Sequence, residues 1–193
     1  MAGNCGKISD DIFNDCDETL IGGVRDRLVL FNIDDIDTYT KNVTNSQIIE
    51  DINLITSPAA RGYVFEGQNN SIDDSTALSK GAYSVGYMHK IIFRVFGNGP
   101  EIKKQLEALA KGKTVAVVQN NFKGADGQAA FELKGMDSGL EVLELTSDKS
   151  DADTQGAYVV TLSTNEKFKE AHLPATVFIT DFETTRDMID SKI

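Results

Sequence analysis

The chain lacks most of what membrane insertion, export, metal binding or hydrolytic chemistry would require. It has no uninterrupted apolar run of about 18 residues, which argues against a spanning helix. Its N-terminus, "MAGNCGKISDDIFND", has neither the basic region nor the apolar stretch of a secretory signal, so the protein is expected in the cytoplasm where it is made. It has two cysteines, Cys5 and Cys16, with ten residues between them and no histidine nearby. A structural zinc site needs four ligands at short paired spacings, so both are read as reduced thiols. G-x-S-x-G and H-E-x-x-H are absent, and there are two histidines, His89 and His172. No catalytic set, enzymatic activity or cofactor is expected.

Basic residues are also scarce. Nineteen Lys and Arg against thirty Asp and Glu leave a net charge of −11, which opposes attraction to nucleic acid or an anionic membrane. Residues 1–37 hold nine of the acids (Asp10, Asp11, Asp15, Asp17, Glu18, Asp26, Asp34, Asp35, Asp37) and three bases, a net of −6. Such a run reads as a solvated face. With 193 residues, 40% of them hydrophobic, the chain can bury the core of one ordinary domain.

What is present reads mainly as strands. "RLVLFNI" (27–33), "RGYVFE" (61–66) and "YSVGYMHKIIFRVF" (83–96) are rich in β-branched and aromatic residues, the last with a kink expected at Gly86. Within it Ile91, Phe93 and Val95 alternate with Lys90, Ile92, Arg94 and Phe96, and Ile92 and Phe96 point to a second buried surface. The period then changes in "GNGPEIKKQLEALAKG". Pro100 suits a first helical turn, Glu101 its positive end, and Ile102, Leu106 and Leu109 repeat at helical spacing, with Gly112 as the expected C-cap. Strand candidates follow at 113–121, 128–135, 139–146, 156–164 and 175–182, joined by short polar connectors. Broken alternation among Leu140, Val142 and Leu145 predicts a bulge near Leu143. Residues 46–55 fit either a short helix or a strand, and 66–81, "EGQNNSIDDSTALSKG", read as a long loop. The expected organisation is an acidic arm or insertion over 1–60 and a domain over 61–193: mainly β, an antiparallel sandwich or barrel with one flanking helix near 100–111.

Two near-motifs fail on context. Gly112-Lys113-Thr114 ends like a phosphate-binding loop, but Glu107 occupies the first glycine position. The order is also helix then strand, so phosphate would meet the negative pole of the helix. In "DKSDADTQG" (148–156), Asp148, Asp151 and Asp153 are the candidate calcium ligands, with Asp151, Asp153, Gln155 and Gly156 matching the start of an EF-hand loop. Leu162 stands where the bidentate Glu belongs, so an acidic hairpin is the expected state. His89, within a strand, is expected to be structural.

Taken together, "YSVGYMHKIIFRVF", the helix "PEIKKQLEALAKG", the hairpin "AAFELKGMDSGLEVLEL" and the closing "GAYVVTLSTNEKFKEAHLPATVF" resemble the tail tube proteins of bacteriophages and their relatives in contractile injection systems. The resemblance covers about the last 110 residues and leaves 1–60 unmatched. It implies a β-sandwich with one flanking helix, forming hexameric rings that stack into a hollow tube, and places the protein in the virion tail. Its implied partners are copies of itself, other tail or connector proteins, and DNA in non-specific transit; no membrane is implied. In such proteins a long loop reaches a neighbouring subunit, and 66–81 lies in the matching place. The acidic segment, with Ile8, Ile12, Phe13 and Leu20, would then dock on a neighbour. The alternatives are another tail or connector protein, or a soluble β-sandwich module binding a ligand or calcium through 148–156.

Overall fold

The computed structural model describes residues 11–12, 21–56 and 60–193. Cys5, Cys16, Ile8, Phe13 and Leu20 lie outside the described residues, and Ile12 is 84% exposed. The elements run β1 (Val24–Asn32), a 3-10 turn (Ile33–Asp35), β2 (Ile36–Lys41), β3 (Ile48–Leu54), β4 (Gly62–Glu66), β5 (Ile72–Lys80), β6 (Val85–Val95), α1 (Pro100–Leu109), β7 (Thr114–Asn120), β8 (Phe131–Lys134), β9 (Leu140–Thr146), β10 (Tyr158–Thr164), β11 (Ala175–Val177) and α2 (Phe182–Asp190). The strands form one eleven-stranded sheet in the order β2-β3-β11-β8-β7-β9-β10-β6-β5, with β1 on β7 and β4 on β1. The sheet is not closed into a barrel. It is also mixed rather than antiparallel, because β11 lies parallel to β3.

β1 and β7 are buried on both faces, and period-two alternation divides their side chains between two cores. Leu28, Leu30, Ala116 and Val118 meet Ile91, Phe93, Val160 and Leu162 in the first core. Val29, Phe31, Val115 and Val117 meet Ile49, Ile52, Leu133 and Ile189 in the second. Burying each of the large ones contributes about 1.5–3 kcal/mol relative to leaving it exposed. The opposed facing of Val115/Val117 and Ala116/Val118 is the one the alternation predicts. So is the bulge: Thr161 pairs with Glu144 and Leu162 with Val142, which leaves Leu143 as the extra residue.

Besides the mixed, open sheet, five further expectations differ from the structure. Residues 24–54 are not separate from the body, since β1 pairs with β7 and β3 with β11, so residue 60 marks no boundary in the sheet. The expected loop 66–81 contains the nine-residue strand β5, because pairing with β6 along its whole length outweighs a composition poor in strand formers. Of the expected strand 175–182 only Ala175–Val177 is strand, and a second helix follows it over Phe182–Asp190. Asp181 accepts the Thr184 N–H at 2.8 Å as its N-cap, and Ile189 is buried on its inner face. Helix α1 stops at Leu109 with Ala110 still right-handed, so Gly112 lies beyond the cap without a left-handed conformation. Phe96, expected on a second buried surface, is 45% exposed.

Candidate assembly surface

The register of the β5–β6 hairpin defines a surface that the body of the protein covers only in part. Directly opposed antiparallel residues share a face. Ile72 with Phe93, Asp74 with Ile91, Thr76 with His89, Leu78 with Tyr87 and Lys80 with Val85 therefore make one continuous face. At the base this face is core, with Ile72, Ile91 and Phe93 buried. At the tip it emerges into solvent: Leu78 is 52% and Val85 63% exposed, and Tyr83 in the connecting loop is fully exposed. Strand β10 covers β6 only from Lys90 to Val95, and beyond that Tyr87 makes one isolated bridge to Glu170. Among the described residues β5 pairs with β6 alone, so its outer side is a sheet edge. From Ser75 to Lys90 there is no Asp or Glu and there are two lysines, which leaves −13 on the rest of a chain whose total is −11.

Between core and tip, polar groups hold the hairpin to the body. The Lys134 side chain reaches from β8 to β5, where its Nζ donates to Thr76 Oγ1 at 2.9 Å and lies 2.6 Å from Asp74 Oδ1. Both charges are sequestered: the side chains of Lys134 and Asp74 are 2% and 10% exposed. The Asp74 oxygen has the ammonium charge beside it but no well-directed hydrogen bond. Burial raises the Asp74 carboxyl above its ordinary range, and the Lys134 charge opposes that rise. On the outer face Arg94 pairs with Asp73 at 2.9 Å, a half-exposed contact of little energetic weight.

His89 is buried next to this pair. Its Nδ1 accepts the Gly135 N–H at 3.3 Å, which puts the proton on Nε2, where it points to the His172 carbonyl at 3.2 Å. Burial, reinforced by the Lys134 charge, pushes the imidazole down to about 4, so it is neutral at physiological pH. Both nitrogens are committed to backbone partners, as a structural histidine requires. Glu170, also buried, accepts the Asp137 and Ser138 N–H groups at 2.9 Å each. Burial raises its carboxyl, and these two donors oppose the rise. Burial, followed by the charges of Glu170 and Asp137, likewise raises the Tyr39 phenol. Where the bridge brings Glu170 onto β6, a Cβ on Gly86 would come within 2.6 Å of the Lys169 Cβ, so the glycine permits close approach.

The residues singled out in the sequence have local roles. Asp148 Oδ1 accepts the Ser150 N–H at 2.8 Å, and Asp151 accepts the Asp153 N–H at 2.9 Å and the Thr154 hydroxyl at 2.8 Å. These bonds, led by the Asp153 N–H, hold the Asp151 carboxyl below its usual range. Among the described residues no group of three or more His, Cys, Asp or Glu is placed to hold a metal ion. In the Gly-Lys-Thr run, Lys113 Nζ pairs with Glu141 at 2.9 Å, and the buried Thr114 hydroxyl lies 3.5 Å from the Leu140 carbonyl. No protein-family model matches the chain, and no curated protein or solved structure does either. No helix among the described residues is long and apolar enough to cross a membrane.

Sequence reasoning missed Asp74, Thr76, Lys134 and Glu170. The one available signal was Lys134 at the end of "AAFEL", an alternating strand pattern that places the lysine opposite Leu133. Its partners lie 58 and 60 residues away, at Thr76 and Asp74, and no local period connects them.

Proposed function

We propose that this chain is a structural subunit of a bacteriophage tail, forming rings that stack into the tube through which DNA passes. The observation that carries this is the β5–β6 hairpin, whose tip carries Leu78, Tyr83 and Val85 exposed beyond the body that buries its base. Exposed apolar surface on a clamped, projecting element is the mark of a docking surface. In a homo-oligomer the neighbour is another copy. Two runs of strands meeting across the first core support a β-sandwich of the tail-tube type. The net charge of −11 suits a conduit that DNA must traverse without sticking, since phosphate is repelled from an acidic wall. The protein would then reside in the virion tail after synthesis in the host cytoplasm. A connector or terminator in the same tail would use the same surface with different neighbours. Light scattering across a concentration series, with negative-stain micrographs of the same samples, tests the proposal. Rings or tubes are expected, and monomers at every concentration would overturn it.

A further inference from the structure

A cleft opens at the end of β6 away from the hairpin tip. Phe65, Gln68, Arg94, Phe96 and Ile102 line it, between the ends of β4 and β6 and the first turn of α1. Its volume is about 410 Å³, within the range of roughly 300–1,000 Å³ typical of small-molecule pockets. Two phenyl rings contribute to the lining: Phe65, which packs on Phe93 behind it with centroids 4.7 Å apart, and Phe96, which is 45% exposed.

We infer that this cleft receives the hairpin tip of a second copy, with Tyr83 and Val85 against the aromatic lining, so that copies join head to tail. The inference rests on the assembly proposed above and adds which two surfaces meet. Charge favours the pairing. The tip brings Lys80 and no acid, while the cleft presents Glu66 on a body of net −13. The one cation lining the cleft, Arg94, is paired with Asp73 at 2.9 Å, which reduces its repulsion of Lys80. Geometry rules out self-satisfaction. Tip and cleft lie at opposite ends of an eleven-residue strand, about 34 Å apart at roughly 3.4 Å per residue. Joined head to tail, each assembly keeps a free tip at one end and a free cleft at the other and can keep adding copies, whereas a reciprocal exchange of tips would close as a two-fold dimer and give no ladder.

Disulfide trapping tests the contact directly. Tyr83 and Gln68 are both exposed, and Gln68 uses only its backbone N–H locally, donating to Ser71, so cysteines at these positions leave the fold intact. The full chain is used with Cys5→Ser and Cys16→Ser, which removes the native thiols. Oxidised protein carrying both Tyr83→Cys and Gln68→Cys should run as a ladder of dimers, trimers and higher species that reductant collapses. An equimolar mixture of the two single variants should stop at dimers. In wild-type cysteine background, Tyr83→Ala should raise the concentration at which assemblies appear by roughly tenfold. Assemblies in micrographs without a ladder would overturn the hairpin-to-cleft contact while leaving the assembly proposal standing. Monomers throughout would overturn both. Dimers formed as readily by Tyr83→Cys alone would assign the tip to a tip-to-tip contact, and monomers that retard duplex DNA would assign it to a polyanion; either result refutes the inference.

Discussion

Replacing Lys134 with methionine keeps most of the side-chain volume and removes the ammonium. Asp74 is then left 10% exposed with no cation beside it. Removing one partner of a buried ion pair typically costs about 3–5 kcal/mol, because the remaining charge is desolvated without compensation. A domain is stable by only about 5–15 kcal/mol in total, so the variant should be severely weakened. Asp74→Asn should cost less, because Lys134 keeps Glu132 at 3.7 Å as a second carboxylate partner and Thr76 as a hydrogen-bond acceptor. The double variant should be more stable than Lys134→Met alone, with a coupling of at least about 2 kcal/mol. Urea unfolding followed by circular dichroism gives all four corners of the cycle, which suits a chain without tryptophan. Acid provides a second check. Burial raises Asp74, and Lys134 opposes that, so the lysine's removal raises it further. A carboxyl raised in the folded state adds stability as pH falls through its folded pKa, since the native state then binds the extra proton. The cost of Lys134→Met should therefore shrink from neutral pH toward acid. An additive cycle, or a loss below about 1 kcal/mol, would show that the pair is solvated and does not clamp the hairpin.

Two further outcomes follow from individual groups. His89 is pushed down to about 4 from an ordinary 6.5, so its contribution to stability is present above pH 6.5 and is lost as pH falls toward 4. The loss should be on the order of 3 kcal/mol, and the difference between wild type and His89→Gln across that window isolates it from Asp74 and Glu170, which act with the opposite sign; parallel pH profiles would refute it. Asp181→Ala removes the cap of α2 and should lower stability by about 1 kcal/mol, read from urea midpoints, with Asp181→Asn largely restoring it; an unchanged midpoint would show the cap bond to be without weight.

Much of the fold was visible locally because its causes are local. The two-sided burial of "TVAVV" follows from alternation of apolar residues in a short run, and the helix at Pro100 from its change of period. The bulge at Leu143 follows from an interrupted alternation. Helix α2 was also within reach: Asp181 heads a turn in which Phe182, Thr185 and Ile189 recur at helical spacing. A strand-like reading of the apolar run before it concealed the cap.

What the amino-acid sequence alone determined is the set of faces: which side of each long strand is apolar, where the helix at Pro100 begins, and that negative charge dominates the chain but is absent from Ser75 to Lys90. Only the tertiary structure decided which faces meet. It made a strand of the polar segment Ile72–Lys80 by giving it β6 as a partner, and it drew β1 to β3 into the sheet. It also placed Lys134 against Asp74 and left Leu78, Tyr83 and Val85 uncovered. The physical reason is that period and propensity act over a few residues. Burial of a charge, or of an apolar tip, depends on chain segments tens of residues away that arrive only when the sheet assembles.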